Sequence, residues 1–76
     1  MSEIKCTTIE KIGIIRQSTN GWNKELRLVS WNDADPKYDI RDWWPDDEKM
    51  GKGITLTEEE ARNLLGLLEK HLGESG

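Results

Sequence analysis

The sequence has almost none of the side chains that stabilise a small protein covalently or equip it for catalysis. Cys6 is its one cysteine and His71 its one histidine among 76 residues. A single thiol excludes an internal disulfide, and these two residues do not form the ligand set of a structural zinc site. Nucleophilic catalysis finds no support, because Ser18, Ser30 and Cys6 have no candidate base except His71 near the C-terminus. We therefore predict a protein that is not an enzyme and that has no metal or other cofactor.

Long apolar segments are also missing. Apolar residues make up 34% of the chain, phenylalanine is absent, and no run approaches the roughly 20 residues of a membrane-spanning helix. The N-terminus lacks the pattern of a signal peptide, and a lone thiol suits a reducing compartment, so we predict a cytoplasmic protein. A chain of this length buries only about 60% of its unfolded surface. We therefore expect a homodimer, because a second copy buries further apolar surface.

The net charge of −4 gives no long-range attraction to nucleic acid. This charge is unevenly distributed along the chain. Five acidic and two basic residues follow Thr57, whereas residues 1–56 hold ten acidic and nine basic residues. The first three quarters of the chain are therefore nearly neutral, and a local basic surface is compatible with the overall charge.

Hydrophobic and turn patterns predict four strands and one helix in a single domain over residues 1–76. The strands are predicted over residues 4–16, 22–31, 37–44 and 53–56, with a loop over 45–51. Asn20-Gly21 predicts a hairpin, and Asn32-Asp-Ala-Asp-Pro36 predicts the next turn. Gly13 predicts a bulge or bend within the first strand.

The C-terminal segment predicts an amphipathic helix. Thr57 and Glu60 have the spacing of a capping box, and the helix is predicted to continue to about Leu72, with Gly73 placed to end it. Helical spacing gives one apolar stripe of Ala61, Leu64, Leu65, Leu68 and Leu72. Leu67 lies off this stripe and is a candidate contact with a partner helix. The predicted fold class is α+β, with the order β-β-β-β-α.

The tryptophans are the residues that most clearly indicate function. The chain has four of them, with one tyrosine and no phenylalanine. In the third predicted strand Arg41 and Trp43 share a face with Lys37, and in the second strand Arg27 shares a face with Trp31. Indole rings stack on unpaired bases for about 1–3 kcal/mol per base, and guanidinium groups stack and contact phosphates. Because their faces carry charged residues, Trp31 and Trp43 are predicted to be exposed.

The other aromatic and basic candidates each have an ordinary structural explanation as well. Trp22 either staples the hairpin or contacts a base. Trp44 lies on the opposite face from Trp43 and fits the core, a dimer contact or a stacking role. Four lysines in or beside the strands are candidate phosphate contacts, although surface lysines are usually only solvated: Lys24, Lys37, Lys49 and Lys52. Lys52 is the strongest of them, because glycines on both sides allow close approach of a backbone.

Three motifs carry a family resemblance: Asp39-Ile-Arg41, Trp43-Trp44 and Gly51-Lys-Gly-Ile-Thr-Leu56. They resemble the single-stranded-DNA-binding domain of eukaryotic positive cofactor four and its bacterial YdbC-type relatives. The bacterial resemblance is stronger and also takes in Gly21-Trp22, Lys24-Glu-Leu26, the segment 29–33 and the segment 36–43. It implies a strongly curved four-stranded antiparallel sheet, a C-terminal helix and a two-fold homodimer. Channels in this dimer would hold unpaired DNA with little sequence preference.

The resemblance also implies roles for particular residues. The family's strand arginine corresponds to Arg41, its strand-end aromatic to Trp43 or Trp44, and its glycine-flanked lysine to Lys52. Lys49 corresponds only approximately, because the loop differs in length. Trp31 and Lys24 match the bacterial pattern. No basic, serine-rich segment like that of the eukaryotic protein precedes the domain, so the resemblance does not imply a coactivator role.

We therefore predict a single-stranded-DNA-binding protein that acts by stacking and by phosphate contacts. Such a surface is compatible with RNA as well, and with a role in transcription, replication or repair. The predicted nucleic-acid-binding residues are Trp22, Lys24, Arg27, Trp31, Lys37, Arg41, Trp43, Trp44, Lys49 and Lys52. The alternative is a protein–protein interaction module, such as a transcription-associated adaptor, that uses exposed tryptophan and arginine side chains as binding hot spots.

Overall fold

The computed structural model describes residues 5–45 and 49–73. Its elements are β1 (Cys6–Arg16), β2 (Asn23–Trp31), β3 (Lys37–Trp43), β4 (Met50–Leu56) and α1 (Glu58–Gly73). The strands form one open antiparallel sheet in the order β1-β2-β3-β4, so each strand pairs with its neighbour in sequence. The predicted α+β class and β-β-β-β-α order are confirmed.

Strand β4 begins earlier than predicted. Met50 pairs with Trp43, and the Trp44 N–H donates to the Lys49 carbonyl at 2.9 Å, so hydrogen bonding continues past the predicted start at Gly53. Residues 50–52 therefore belong to the sheet, and the assignment of residues 50 and 51 to a loop was wrong. The predicted first residue of β1, Ile4, and loop residues 46–48 lie outside the described residues.

The two predicted turns differ in how many of their residues have left-handed backbone conformations. In the β1–β2 hairpin only Gly21 has a positive φ, of 97°, and its N–H donates to the Ser18 carbonyl at 3.4 Å. After β2, Asn32 and Asp33 have φ values of 51° and 62°, and the Ala34 N–H donates to the Trp31 carbonyl at 2.9 Å. Two successive positive φ values are typical of a type I′ turn.

Bulges interrupt β1 and β4. The register of β1 shifts three times, between Thr8 and Glu10, between Lys11 and Gly13, and between Ile14 and Arg16. The predicted irregularity near Gly13 is thus confirmed. In β4, two residues oppose Asp42 between the pairs Arg41–Gly53 and Trp43–Met50. Each bulge bends its strand and increases the local twist.

The sheet has two chemically different faces, because directly opposed residues share a face. The polar face carries Thr8 and Lys11 from β1, Glu25, Arg27, Val29 and Trp31 from β2, Lys37, Asp39, Arg41 and Trp43 from β3, and Thr55 from β4. The helix face carries Leu26, Leu28, Tyr38, Ile40, Ile54 and Leu56. We use these two names below.

Helix α1 begins at the predicted capping box and packs over the helix face. The Thr57 N–H donates to Glu60 Oε1 at 2.8 Å, and the Glu60 N–H donates to Thr57 Oγ1 at 3.2 Å. Ala61 and Leu64 are half-buried, whereas Leu65 is 56% exposed and Leu68 46% exposed. The helix therefore covers only part of the sheet. Across the described residues, no helix is long and apolar enough to cross a membrane.

Candidate nucleic-acid interface

Arg41 is fixed on the polar face by three hydrogen bonds. Its Nε and Nη2 atoms donate to the two oxygens of Asp39 at 2.7 and 2.9 Å, and its Nη1 donates to the Gly51 carbonyl at 3.1 Å. Asp39 is fully buried and also accepts a hydrogen bond from Thr55 Oγ1 at 3.0 Å. A bidentate pair of this kind fixes the plane of the guanidinium group.

A glycine makes this arrangement sterically feasible. Gly53 opposes Arg41 across the β3–β4 pair. A Cβ atom at this position would overlap the Arg41 Cβ and the Ile40 carbonyl oxygen. Only glycine therefore lets β4 approach β3 closely enough for Thr55 and Gly51 to bond the Asp39–Arg41 pair.

Arg41 also stacks on an aromatic ring from the neighbouring strand. Its Cζ lies 5.0 Å from the centroid of the Trp31 ring, which is partly exposed. This distance is within the range of a cation–π interaction. The pair combines a fixed planar cation and an indole ring at one place on the polar face.

A second arginine–tryptophan pair lies deeper. Arg27 Cζ lies 3.7 Å from the centroid of the Trp43 ring, and Arg27 is fully buried. Arg27 Nε donates to Glu25 Oε1 at 2.9 Å, and its Nη1 donates to Thr8 Oγ1 at 3.0 Å. Trp43 is only 6% exposed, so the expectation that it is exposed was wrong. The reason is a tertiary contact: Arg27 from the adjacent strand β2 covers the Trp43 ring.

The charge of the polar face is only weakly positive. Arg27 pairs with Glu25 and Arg41 with Asp39, so the buried charges compensate each other. Such compensation is required, because an unpaired buried charge costs several kcal/mol. This face also carries the exposed side chains of Lys11 and Lys37. The two buried arginine–carboxylate pairs are therefore nearly neutral, and the exposed Lys37 adds a cation to the same face.

Cys6 lies beside this network at the start of β1, opposite Trp31. Partial burial, reinforced by the Asp39 carboxylate, raises the pKa of the Cys6 thiol above its usual value, although Arg41 and Arg27 partly oppose the shift. A raised pKa keeps the thiol protonated and weakly nucleophilic at neutral pH. Cys6 is therefore a packing residue of this face.

The structure separates the predicted binding residues into two groups. Arg27, Trp31, Lys37, Arg41 and Trp43 lie on the polar face, as their strand positions predict. The others lie at the hairpin end of the sheet or in and just before β4: Trp22, Lys24, Trp44, Lys49 and Lys52. Trp22 and Trp44 contact each other, with ring centroids 5.2 Å apart and planes inclined by 56°.

The residues that hold the arginines were missed from sequence. Glu25, Asp39, Thr8 and Thr55 make the hydrogen bonds described above, but none was selected as a functional residue. For Glu25 and Asp39 a signal was available, because each lies two positions before an arginine on the same strand face. For Thr8 and Thr55 no sequence signal was available, because their contacts depend on the register between strands.

Two comparisons with known proteins agree with this geometry. The family model for Transcriptional Coactivator p15 (PC4) matches residues 18–67, which include β2, β3, β4 and the first part of α1. An uncharacterized protein of Treponema pallidum (strain Nichols) is 54% identical over 56 residues, a match that covers 74% of this chain and 66% of that protein. This chain thus matches just under two thirds of that relative's length.

The PC4 family is known for binding single-stranded DNA and for coactivator roles. The matched segment contains both arginine–tryptophan pairs and Gly53, which lets β4 approach Arg41 closely. The resemblance noted from the sequence is therefore confirmed: this chain belongs to the Transcriptional Coactivator p15 (PC4) family.

Proposed function

We propose that this chain is a single-stranded-DNA-binding protein of low sequence specificity that acts in the cytoplasm without catalysis. One observation carries the proposal: on the open polar face, the guanidinium plane of Arg41 is fixed by Asp39 and lies over the partly exposed Trp31 ring. Flat, polarisable groups that are already held in place bind bases without further ordering cost. Membership of the PC4 family supports the same function.

Trp31 and Arg41 are the proposed stacking platform. A base needs an accessible flat surface, and these two side chains retain some exposure on the polar face. Stacking is tolerant of sequence because every base has a π-face. In this proposal Trp43 and Arg27 contribute indirectly. Their close stack makes the polar face, which also carries Arg41 and Trp31, more rigid.

Phosphate contacts are assigned to the exposed lysines. Lys37 lies on the polar face, Lys52 is exposed within β4, and Lys49 is exposed just before β4. Lys24 lies at the hairpin end, opposite Asp42. These side chains are not part of the buried ion pairs, so they can approach a phosphate without breaking the Arg41–Asp39 pair.

The proposed active form is a homodimer. Among the described residues, the only buried hydrophobic side chains are those of Val29 and Trp43. An apolar cavity of about 290 Å³ lies open between the sheet and α1, lined among others by Ile15, Leu26, Ile40, Leu65 and Leu68. A second copy that covered it would bury the exposed leucines of α1, and exposed apolar patches of this kind mark interaction sites.

The protein-interaction alternative has less support. Hot-spot anchors are large side chains that project into a partner. Here Trp43 is buried, and Trp22, Trp31 and Trp44 are each partly buried against their own chain. Their packing favours a flat surface for stacking over projecting anchors.

The test is a titration of the intrinsic tryptophan fluorescence with a roughly 20-nucleotide oligo-dT and with a duplex of the same length. We expect strong quenching by the single strand and weaker binding of the duplex. The logarithm of the association constant should fall with the logarithm of salt concentration with a slope of about −2 to −4, for about three to six neutralised phosphates. Absence of a response to the single strand, or equal affinity for the duplex, would overturn the proposal.

A further inference from the structure

A second cavity lies at the hairpin end of the sheet, away from the polar face. It has a volume of about 320 Å³ and is lined by Arg16, Ser18, Asn20, Trp22, Asp42 and Gly51. We call it the hairpin pocket. Asp42 follows Arg41 in β3 and therefore points to the opposite face of the sheet, so the hairpin pocket is distinct from the Trp31–Arg41 platform.

The walls of the hairpin pocket are held by local hydrogen bonds. Asn20 Oδ1 accepts from Ser18 Oγ at 2.5 Å and from the Trp22 N–H at 3.2 Å. The Trp22 ring is supported by Trp44, at a centroid distance of 5.2 Å. Trp44 in turn lies against the turn, 3.2 Å from where a Cβ of Gly21 would be. The indole that borders the pocket is therefore fixed before any ligand arrives.

Glycine at position 51 leaves the space between the two sides of the hairpin pocket open. A Cβ atom there would lie 3.4 Å from Asp42 Cβ and 3.5 Å from Trp22 Cζ3. These are ordinary contact distances, so a side chain is compatible with the backbone but would occupy the pocket. Because Gly51 has no side chain, the space between the Trp22 ring and the Asp42 carboxylate stays open.

The carboxylate of Asp42 is only weakly engaged. Among the described residues, its Oδ1 lies 3.5 Å from Arg16 Nη2, at the outer limit of a hydrogen bond. The side chains of Arg16 and Asp42 are 58% and 34% exposed. An ionised carboxylate is an acceptor only, with two oxygens that suit a pair of parallel N–H donors.

We infer that the hairpin pocket binds a guanine base of the single strand, an inference that rests on the proposed function. Trp22 would stack on the base, Asp42 would accept from its N1–H and N2–H groups, and Arg16 would contact the adjoining phosphate. Bases of unpaired strands are recognised through their Watson–Crick edges in this way. The result is a preference at one nucleotide within otherwise sequence-tolerant binding.

The chemistry of the other bases explains why guanine is selected. Guanine alone presents two adjacent N–H donors on its Watson–Crick edge. Cytosine and adenine each place a ring-nitrogen acceptor beside their amino group, and thymine flanks its N–H with two carbonyl oxygens. An acceptor-only carboxylate therefore meets a repulsive lone pair in each of these three cases.

The experiment compares affinities for an oligo-dT and for the same strand with one central guanine, inosine, adenine or cytosine. We expect the guanine strand to bind at least about fivefold more tightly than oligo-dT, which is the lower end of a bidentate base contact. Inosine lacks the N2 amino group and should lose part of this gain. Asp42→Asn should remove the preference, whereas Asp35→Asn, which makes the same charge change in an exposed turn, should keep it.

The outcomes separate this inference from the proposed function. Binding of oligo-dT with no gain from guanine, or a gain that persists in Asp42→Asn, would overturn the guanine site and leave the proposed function standing. No binding of any strand would overturn both. A misfolded variant is recognised by its circular dichroism. If a variant misfolds, the affinities of the unmodified protein for the guanine and inosine strands test the inference instead. Equal gains in affinity from guanine and inosine would contradict the assigned contact between Asp42 and the N2 amino group.

Discussion

At the scale of single residues, the polar face depends on pairs of side chains. Arg41 is useful as a stacking cation because Asp39, Gly51 and Thr55 fix it, and Trp43 is buried because Arg27 covers it. Trp31 and Trp43 therefore each have their role set by an arginine of the neighbouring strand. Strand parity predicts that Arg41 and Trp43 share a face. Parity alone does not predict which ring is covered, since that depends on side chains from another strand.

Arg41→Lys tests the contribution of the guanidinium plane. Lysine retains a charge for Asp39 but has no planar group to stack, so the affinity for oligo-dT should fall about tenfold, within the usual range for one stacking contact. Fluorescence titration measures the affinity, and thermal unfolding measures stability. Arg41→Ala is less informative, because it leaves the buried Asp39 without its cation, a loss that costs about 3–5 kcal/mol.

Arg62→Lys is the matched control for this substitution. Arg62 is exposed on α1 and pairs with Glu58, away from the polar face, so the same chemical change should leave oligo-dT affinity unaltered. Equal affinities for the unmodified protein and Arg41→Lys would show that the guanidinium plane takes no part in binding.

At the scale of elements, the sequence predicts the order of strands and helix well but predicts the faces of β1 poorly. In β2 and β3 alternation is regular, so Leu26 and Ile40 share one face, and Arg27 and Asp39 share the other. Three bulges in β1 break this alternation. The first of them, between Thr8 and Glu10, brings Lys11 opposite Arg27, onto a face that strict alternation from Thr8 would not give it. Bulges depend on how neighbouring strands fit together, which the sequence of a single strand does not contain.

The stability of the N-terminal end of α1 follows from the local sequence. Thr57→Ala removes the side-chain oxygen that accepts from the Glu60 N–H and should lower the free energy of unfolding by about 1 kcal/mol. For a domain of this size the midpoint of thermal unfolding should fall by about 4–8 °C. Circular dichroism at fixed protein concentration measures the change. Thr19→Ala in the exposed hairpin is the control, and an equal shift in both variants would contradict the capping account.

At the scale of the whole molecule, the single chain leaves much apolar surface uncovered. The helix covers only part of the sheet, and the cavity beside it is lined by Leu65 and Leu68. On our account a second copy completes the fold. Light scattering after size exclusion should therefore give twice the chain mass of 8.8 kDa.

Leu65→Asp should reduce this mass to that of one chain, because a carboxylate at the proposed dimer contact must otherwise be buried. Asn63→Asp places the same charge on an exposed position of α1 and should leave the dimer intact. A mass of one chain for the unmodified protein, across the accessible concentration range, would contradict the homodimer.

The central claim is that unpaired DNA lies on the polar face, and the indole N–H signals of the four tryptophans test it most directly. In a nitrogen–proton NMR spectrum each tryptophan gives one such signal, which single Trp→Phe variants assign. On titration with oligo-dT the account predicts the largest shift for Trp31, a smaller one for Trp43, and little change for Trp22 and Trp44. If oligo-dT binds to saturation and the Trp31 indole N–H signal does not shift, the account is contradicted.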